Sequence, residues 1–177
     1  YGVVGVITPW NGALAVAASC VAPALAAGNA VVLKPSELAP LAALRFGELC
    51  LEAGLPPGLV NIVPAAATGG DALVRHSGIR KIFFTGGGAT ARLVLQAAAP
   101  NLTPVVAELG GKSANIILDD ADLSTVIARD IANLCSNSGQ SCNAPTRMLV
   151  PNSRMDEAAA IAAAAAAKVV VGDPRAE

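Results

Sequence analysis

Short apolar runs alternate with longer amphipathic stretches along nearly the whole chain. Residues 2–8 (GVVGVIT) are almost wholly apolar and of strand length, the pattern of a strand buried on both faces, and Pro9 ends them. Residues 14–27 predict a small-residue helix stopped by Gly28-Asn29, with Pro23 expected to kink it or shift its start. Strands are predicted at 30–33, 59–63, 81–84, 104–107, 115–118 and 147–150. Between them fall helices at 41–53, 71–75, 89–99, from Asp120 or Asp122 (either able to cap) to about Leu134, and at 155–168. The last helix is nearly all alanine between 158 and 167, which suits a helix but offers little bulk for packing. Strands alternating with helices at this rhythm predict an α/β domain built on a largely parallel sheet.

Composition narrows the classes of function. Hydrophobic residues make up 54% of the 177 and charged residues 14%, so the chain can bury a core and disorder is not expected. The net charge of −1, without a basic block, and the 3% aromatic content argue against a nucleic-acid or anionic-membrane partner. No apolar run reads as a transmembrane helix, since Gly, Pro or Asn breaks each one. Four cysteines without CxxC spacing suggest a reducing compartment, the cytoplasm, and no metal site is predicted. Both ends look cut, as in a piece of a longer protein.

Candidate chemistry collects where predicted strands end, which in parallel sheets is where ligands bind. Asn11, in Thr8-Pro9-Trp10-Asn11, is either a turn residue or an amide donor to a developing oxyanion. Lys34 and Glu37, in Lys34-Pro35-Ser36-Glu37, are either a solvated pair or hydrogen-bond partners for ribose hydroxyls. Gly86-Gly87-Gly88 before a helix offers bare N–H groups to a phosphate, though it is not GxGxxG. Glu108, before Leu109-Gly110-Gly111-Lys112-Ser113, is a general base or an ion-pair partner of Lys112. Cys142 sits among small polar residues, Asn137-Ser138-Gly139-Gln140-Ser141-Cys142-Asn143, the setting of a reactive thiol or of a cysteine that merely happens to lie in a polar loop. His76 reads as structural, and Cys20, Cys50 and Cys135 as small core residues.

In this order TPWN, KPSE, FTG, ELGGKS and GQSC resemble the aldehyde dehydrogenase superfamily over essentially the whole chain. The resemblance implies a Rossmann-like NAD(P)-binding domain over 1–112, helices on both faces of its sheet, and the start of a second α/β catalytic domain over 113–177. It implies oxidation of an aldehyde to a carboxylic acid through a thiohemiacetal and a thioester on Cys142. Asn11 and the Cys142 N–H would hold the oxyanion, and Glu108 would activate water. Lys34 and Glu37 would take the adenosine ribose, Gly86, Gly87 and Gly88 the pyrophosphate, with Trp10 and Ser36 as further cofactor-binding positions. Glu37 favours NAD over NADP, a small-molecule aldehyde is the implied substrate, and the full-length protein is expected to be a homo-oligomer. The family's later part is missing, so this piece alone is expected to be inactive. The rival reading is a non-catalytic dinucleotide-binding or interaction module. Gly12-Ala13 stands where the family commonly has Phe-Pro, Gly87-Gly88 where it has Ser-Thr, and Ala91 where it has Gly.

Overall fold

The computed structural model describes residues 1–173 and 175. Five of the apolar runs become the parallel strands β1 (Val3–Ile7), β2 (Ala30–Lys34), β3 (Val60–Ile62), β4 (Ile79–Gly86) and β5 (Val105–Leu109), ordered β3-β2-β1-β4-β5. Helices α1 (Ala13–Ala26), α2 (Leu41–Glu52), α3 (Ala67–Arg75) and α4 (Gly88–Ala98) connect them in turn. This is the doubly wound arrangement expected of a Rossmann-like sheet.

Strand alternation sorts the core into two layers. Val4 and Val6 of β1 join Val31 and Leu33 of β2 against Ala17, Val21 and Ala24 of α1 and Ala43 of α2. Val3 and Ile7, pointing the other way, pack with Ile82 and Phe84 of β4, Val74 of α3 and Ala91 and Val94 of α4. Both faces are therefore covered at β1 and β2, which is why these strands read as near-continuous apolar runs, whereas the edge strand β5 is largely exposed. Gly5 lies on the second face, where a Cβ would approach Ile82 Cδ1 to 2.9 Å.

Pro23 lies within α1, whose start at Ala13 it does not shift. It and Ser19, whose carbonyl loses its helical donor, both lie on the exposed face, where solvent can bond that carbonyl. Helix α3 begins at Ala67, four residues before the predicted 71, and takes in Gly69 and Gly70. Adjacent glycines ordinarily signal a loop, but a Cβ at Gly69 would run into the Cβ of Ala65, so the tight entry to this helix admits glycine there.

The chain divides into two compact units, Tyr1–Leu109 and Gly110–Glu177, three residues ahead of the expected boundary at 112/113. In the second unit β6 (Ala114–Ile116) and β7 (Arg147–Leu149) form a parallel pair, with α5 (Leu123–Cys135) and α6 (Met155–Ala166) packed through Leu123, Ile127 and Ala158. The alanine-rich α6 thus packs through Ala158, 3% exposed, with Ile161 beside it. Asp130 of α5 is also buried, accepting from Asn115 Nδ2 at 2.7 Å and from Arg129 Nε at 2.9 Å, which ties α5 to β6.

Candidate active site

The sheet register lines the sequence candidates of the first unit along one edge. Ile7 pairs with Lys34 on one side and Phe84 on the other, Thr85 with Glu108 and Gly86 with Leu109. Asn11 follows β1, Lys34 ends β2 and Gly86 ends β4, while Glu108 lies inside β5, one residue before its end. From β1 the chain winds towards β2, and from the neighbouring β4 towards β5. The crevice where the winding reverses is the ligand site that such sheets provide.

At the end of β1, Trp10 is 43% exposed and Asn11 half-buried. Gly12, at the N-cap of α1, has φ of 63°, a left-handed backbone in which the bulkier Phe of the resembled motif would be strained. At the end of β2, the Lys34 stem is buried and its ammonium meets Glu37 Oε2 at 3.2 Å. The exposed Glu37 carboxyl is held below the usual carboxylate range, chiefly by its own backbone N–H and then by Lys34. Ser36 uses its hydroxyl locally, accepting from the Leu38 N–H at 3.3 Å.

The three glycines after β4 have different reasons. A Cβ at Gly86 would come within 2.7 Å of the Phe84 ring, so the ring requires glycine there. A Cβ at Gly87 or Gly88 would meet nothing within 4 Å. Gly87 caps α4 without a side-chain hydrogen bond, leaving the first N–H groups of the helix approachable from solvent.

Sequence reasoning missed a cleft of about 440 Å³ between α3 and α4 that reaches the sheet edge at Ile7, Lys34 and Phe84. Thr68, Gly70 and Asp71 of α3 and Thr90, Leu93 and Val94 of α4 supply much of its wall. The sequence predicts a helix over 89–99, but which of its residues stay uncovered depends on how α3 crosses it.

Glu108 is exposed. Its charge reaches the half-buried Cys20, whose thiol is pushed up first by burial and to a smaller extent by Glu108, against a hydrogen bond from Ser19. Cys50 is buried, with its thiol likewise pushed up by burial, and Cys135 is half-buried. The exposed His76 accepts from the Gly78 N–H through Nδ1 at 3.0 Å, a turn contact just before the amino end of β4, whereas the candidates follow the carboxyl ends of the strands.

In the second unit Cys142 is exposed. The chain reaches it from α5 through Asn137, Ser138 and Gly139, all three with positive φ (51°, 56° and 73°). Asn137 Nδ2 donates to the Gln140 carbonyl at 3.1 Å, while the Gln140 side chain and backbone N–H both donate to the Asn137 carbonyl. This mutual clasp holds a turn that would otherwise be costly for two non-glycine residues. Beyond the thiol, Arg147 binds Lys112 O through Nε at 2.8 Å and Ser113 O through its N–H at 3.1 Å. A Cβ at Gly111 would lie 3.9 Å from the Cys142 carbonyl oxygen. The Gly-Gly-Lys-Ser segment and the cysteine turn are therefore neighbours.

Helix α5, which delivers this turn, is capped by Asp122 rather than Asp120. Asp122 accepts from the Ser124 N–H at 3.1 Å and from the hydroxyls of Ser124 and Thr125 at 2.7 and 2.6 Å. The Thr125 and Ser124 hydroxyls hold its carboxyl below the usual range. A lowered folded-state value means stabilisation that is complete above the unfolded carboxyl's range and lost as pH falls through the lowered value. Asp122→Ala is expected to lower the thermal midpoint at neutral pH, with the deficit closing in acid. An undiminished deficit near about pH 2, where carboxylates are mostly protonated, would assign the loss to something other than this charge.

Among the described residues no helix is long and apolar enough to cross a membrane, and no group of three or more His, Cys, Asp or Glu side chains could hold a metal ion. The model of the aldehyde dehydrogenase family matches residues 1–177. The chain is 50% identical over 174 residues to 3-succinoylsemialdehyde-pyridine dehydrogenase of a Pseudomonas species, covering 98% of this chain and 36% of that protein. It is 45% identical to human retinal dehydrogenase 2, covering 98% of this chain and 34% of the relative. A solved structure of an aldehyde dehydrogenase C mutant from Pseudomonas syringae, complexed with NAD+ and octanal, superposes with a TM-score of 0.92 at 49% identity, covering 99% of this chain and 36% of that one. An NAD+ complex of an aldehyde dehydrogenase from Bacillus cereus gives a TM-score of 0.90 at 40% identity, covering 97% and 35%. With its sheet order, strand-edge motifs and cysteine turn, this chain belongs to the aldehyde dehydrogenase family. It spans about a third of the length of these relatives.

Proposed function

We propose that the full-length protein oxidises an aldehyde to a carboxylic acid with NAD(P)+, the first unit binding the cofactor and the second contributing the nucleophile. The observation that carries this reading is the row of Asn11, Lys34, Gly86 and Glu108 along one carboxyl edge of the parallel sheet. That edge fits a dinucleotide on three counts. The Lys34–Glu37 pair offers a donor and an acceptor to vicinal hydroxyls, the cleft gives an apolar wall for a flat ring, and the bare start of α4 suits a pyrophosphate. Bound NAD(P)+ supplies the two-electron acceptor that the side chains lack.

The chain's own residues divide the remaining work. Cys142, exposed and ringed by small residues, adds as thiolate to the aldehyde carbonyl to give a thiohemiacetal. The Asn11 amide and the Cys142 N–H stabilise the oxyanion. Oxidation leaves a thioester, and Glu108 takes a proton from the water that hydrolyses it. An acyl transfer to coenzyme A or phosphate needs no such base, so Glu108 favours the hydrolytic outcome. The notch of small residues at Gly87-Gly88 leaves pyrophosphate contacts to the backbone alone.

The test is steady-state NADH formation, followed at 340 nm, by the full-length protein across aliphatic, aromatic and semialdehyde substrates. Aldehyde-dependent NADH production with matching acid release supports the reading. Cofactor binding without turnover on any aldehyde would instead favour the dinucleotide-binding module.

A further inference from the structure

The chain is held differently on the two sides of Cys142. Beyond the cysteine, β7 pairs with β6, and Arg147 adds a side-chain bond to the Lys112 carbonyl at 2.8 Å. Before it, α5 ends at Cys135 and the chain turns through Asn137, Ser138 and Gly139, with φ of 51°, 56° and 73°. Three left-handed residues in a row suit glycine; asparagine tolerates the region, and serine sits there at a cost. Residues 136–140 are all exposed, so burial does not hold this turn. Hydrogen bonds do. Asn137 Nδ2 donates to the Gln140 carbonyl at 3.1 Å, and the Asn137 carbonyl accepts from the Gln140 N–H at 3.1 Å and from its Nε2 at 3.3 Å. Asn137 thus both tolerates the unusual backbone and ties it, and the sulfur follows two residues after Gln140.

With Cys142 taken as the nucleophile, we propose that Asn137 is its positioning residue: the side-chain amide keeps the turn left-handed and so fixes where the sulfur meets the aldehyde carbonyl. Asn137 acts through the turn and not on the reacting atoms. Without the amide, the unfavourable backbone at Ser138 is released, and the turn relaxes towards the commoner right-handed or extended conformations. Gln140 and the thiol move with it. The relaxed thiol stays exposed, so a small electrophile that needs no fixed orientation still reaches it. An aldehyde held in one pose does not react as before, because attack is productive only over a narrow range of distance and angle. The defect therefore falls on turnover, and spares both the chemistry of the thiol and the binding of cofactor.

Asn137→Asp and Asn137→Gly in the full-length protein separate the two properties of the asparagine. Aspartate keeps the size but turns a carboxylate oxygen, in place of the donor, towards the Gln140 carbonyl; glycine keeps the backbone freedom and has no donor. Both are expected to lower kcat by about ten- to a hundredfold. Titrated NAD+ affinity, and the rate at which iodoacetamide labels Cys142 as read by peptide mass, should stay close to wild type. Wild-type kcat in either variant overturns the role of the amide. Labelling that slows as much as turnover overturns it too, since the thiol itself would then have changed. A joint loss of kcat and NAD+ affinity in both variants would make Asn137 a structural brace and nothing more. Cys142→Ser, run alongside, keeps the two readings apart. If the serine variant turns over aldehyde, the nucleophile is misassigned and the proposal falls with it; if it is inactive while the Asn137 variants are normal, only the role of Asn137 falls.

Discussion

Cys142→Ser in the full-length protein is expected to abolish aldehyde-dependent NADH formation while cofactor binding persists. The loss should be about 10⁴-fold or more, in line with removal of other covalent nucleophiles. Serine keeps the size and the hydrogen-bonding capacity of the side chain, but its hydroxyl is scarcely ionised near neutral pH whereas a thiol partly is. The turn itself should survive, because its clasp runs between Asn137 and Gln140 and does not use the sulfur. Two readouts are needed together: the rate of NADH formation and a direct titration of NAD+. A serine variant that keeps substantial turnover would assign the nucleophile elsewhere. A variant that loses cofactor binding as well would point to a folding defect.

Glu108→Gln should give a different defect, a burst without turnover. Glutamine preserves the shape of the side chain at this exposed position of β5 but cannot accept a proton from water. Thiohemiacetal formation and oxidation do not call on that base in the proposed sequence, so one equivalent of NADH per site should appear rapidly. Hydrolysis should then slow by roughly 10²- to 10⁴-fold, the usual contribution of a positioned general base. Rapid-mixing absorbance followed by intact mass of the acylated protein would see both the burst and the trapped thioester. An unchanged steady-state rate would remove Glu108 from the hydrolytic step.

Much of the fold was legible because burial on both faces leaves a plain mark on sequence. The strands 2–8 and 30–33 announced themselves as apolar runs with hard stops, and β1 and β2 fall within a residue of them at each end. A cap at Asp120 or Asp122 was legible because the chemistry of capping is local, and the choice of Asp122 came from the structure. The start of α3 was not, since the reason for Gly69 lies in Ala65 packing over it and not in helix propensity. Nor was Asp130, whose burial depends on Asn115 arriving from another strand.

The candidate site divides the same way. Lys34 and Glu37 are three residues apart, and a proline turn brings them together without help from the rest of the fold. The cleft wall draws on Ile7, Lys34, Asp71, Phe84 and Leu93, from five separate elements. No local pattern in the sequence could collect them. Only the reversal of winding between β1 and β4 does so.

The unequal shelter of the four thiols has a practical side. Cys50 is buried, Cys20 and Cys135 are half-covered, and burial makes the first two harder to ionise, whereas Cys142 stands open at the end of its clasped turn. Alkylating agents attack thiolates that they can reach, so a brief, sparing dose sees this surface as having one handle. The sulfur proposed to do the chemistry is also the point at which the molecule can be counted, tagged or poisoned by an electrophile, and the first to be spent under oxidising conditions.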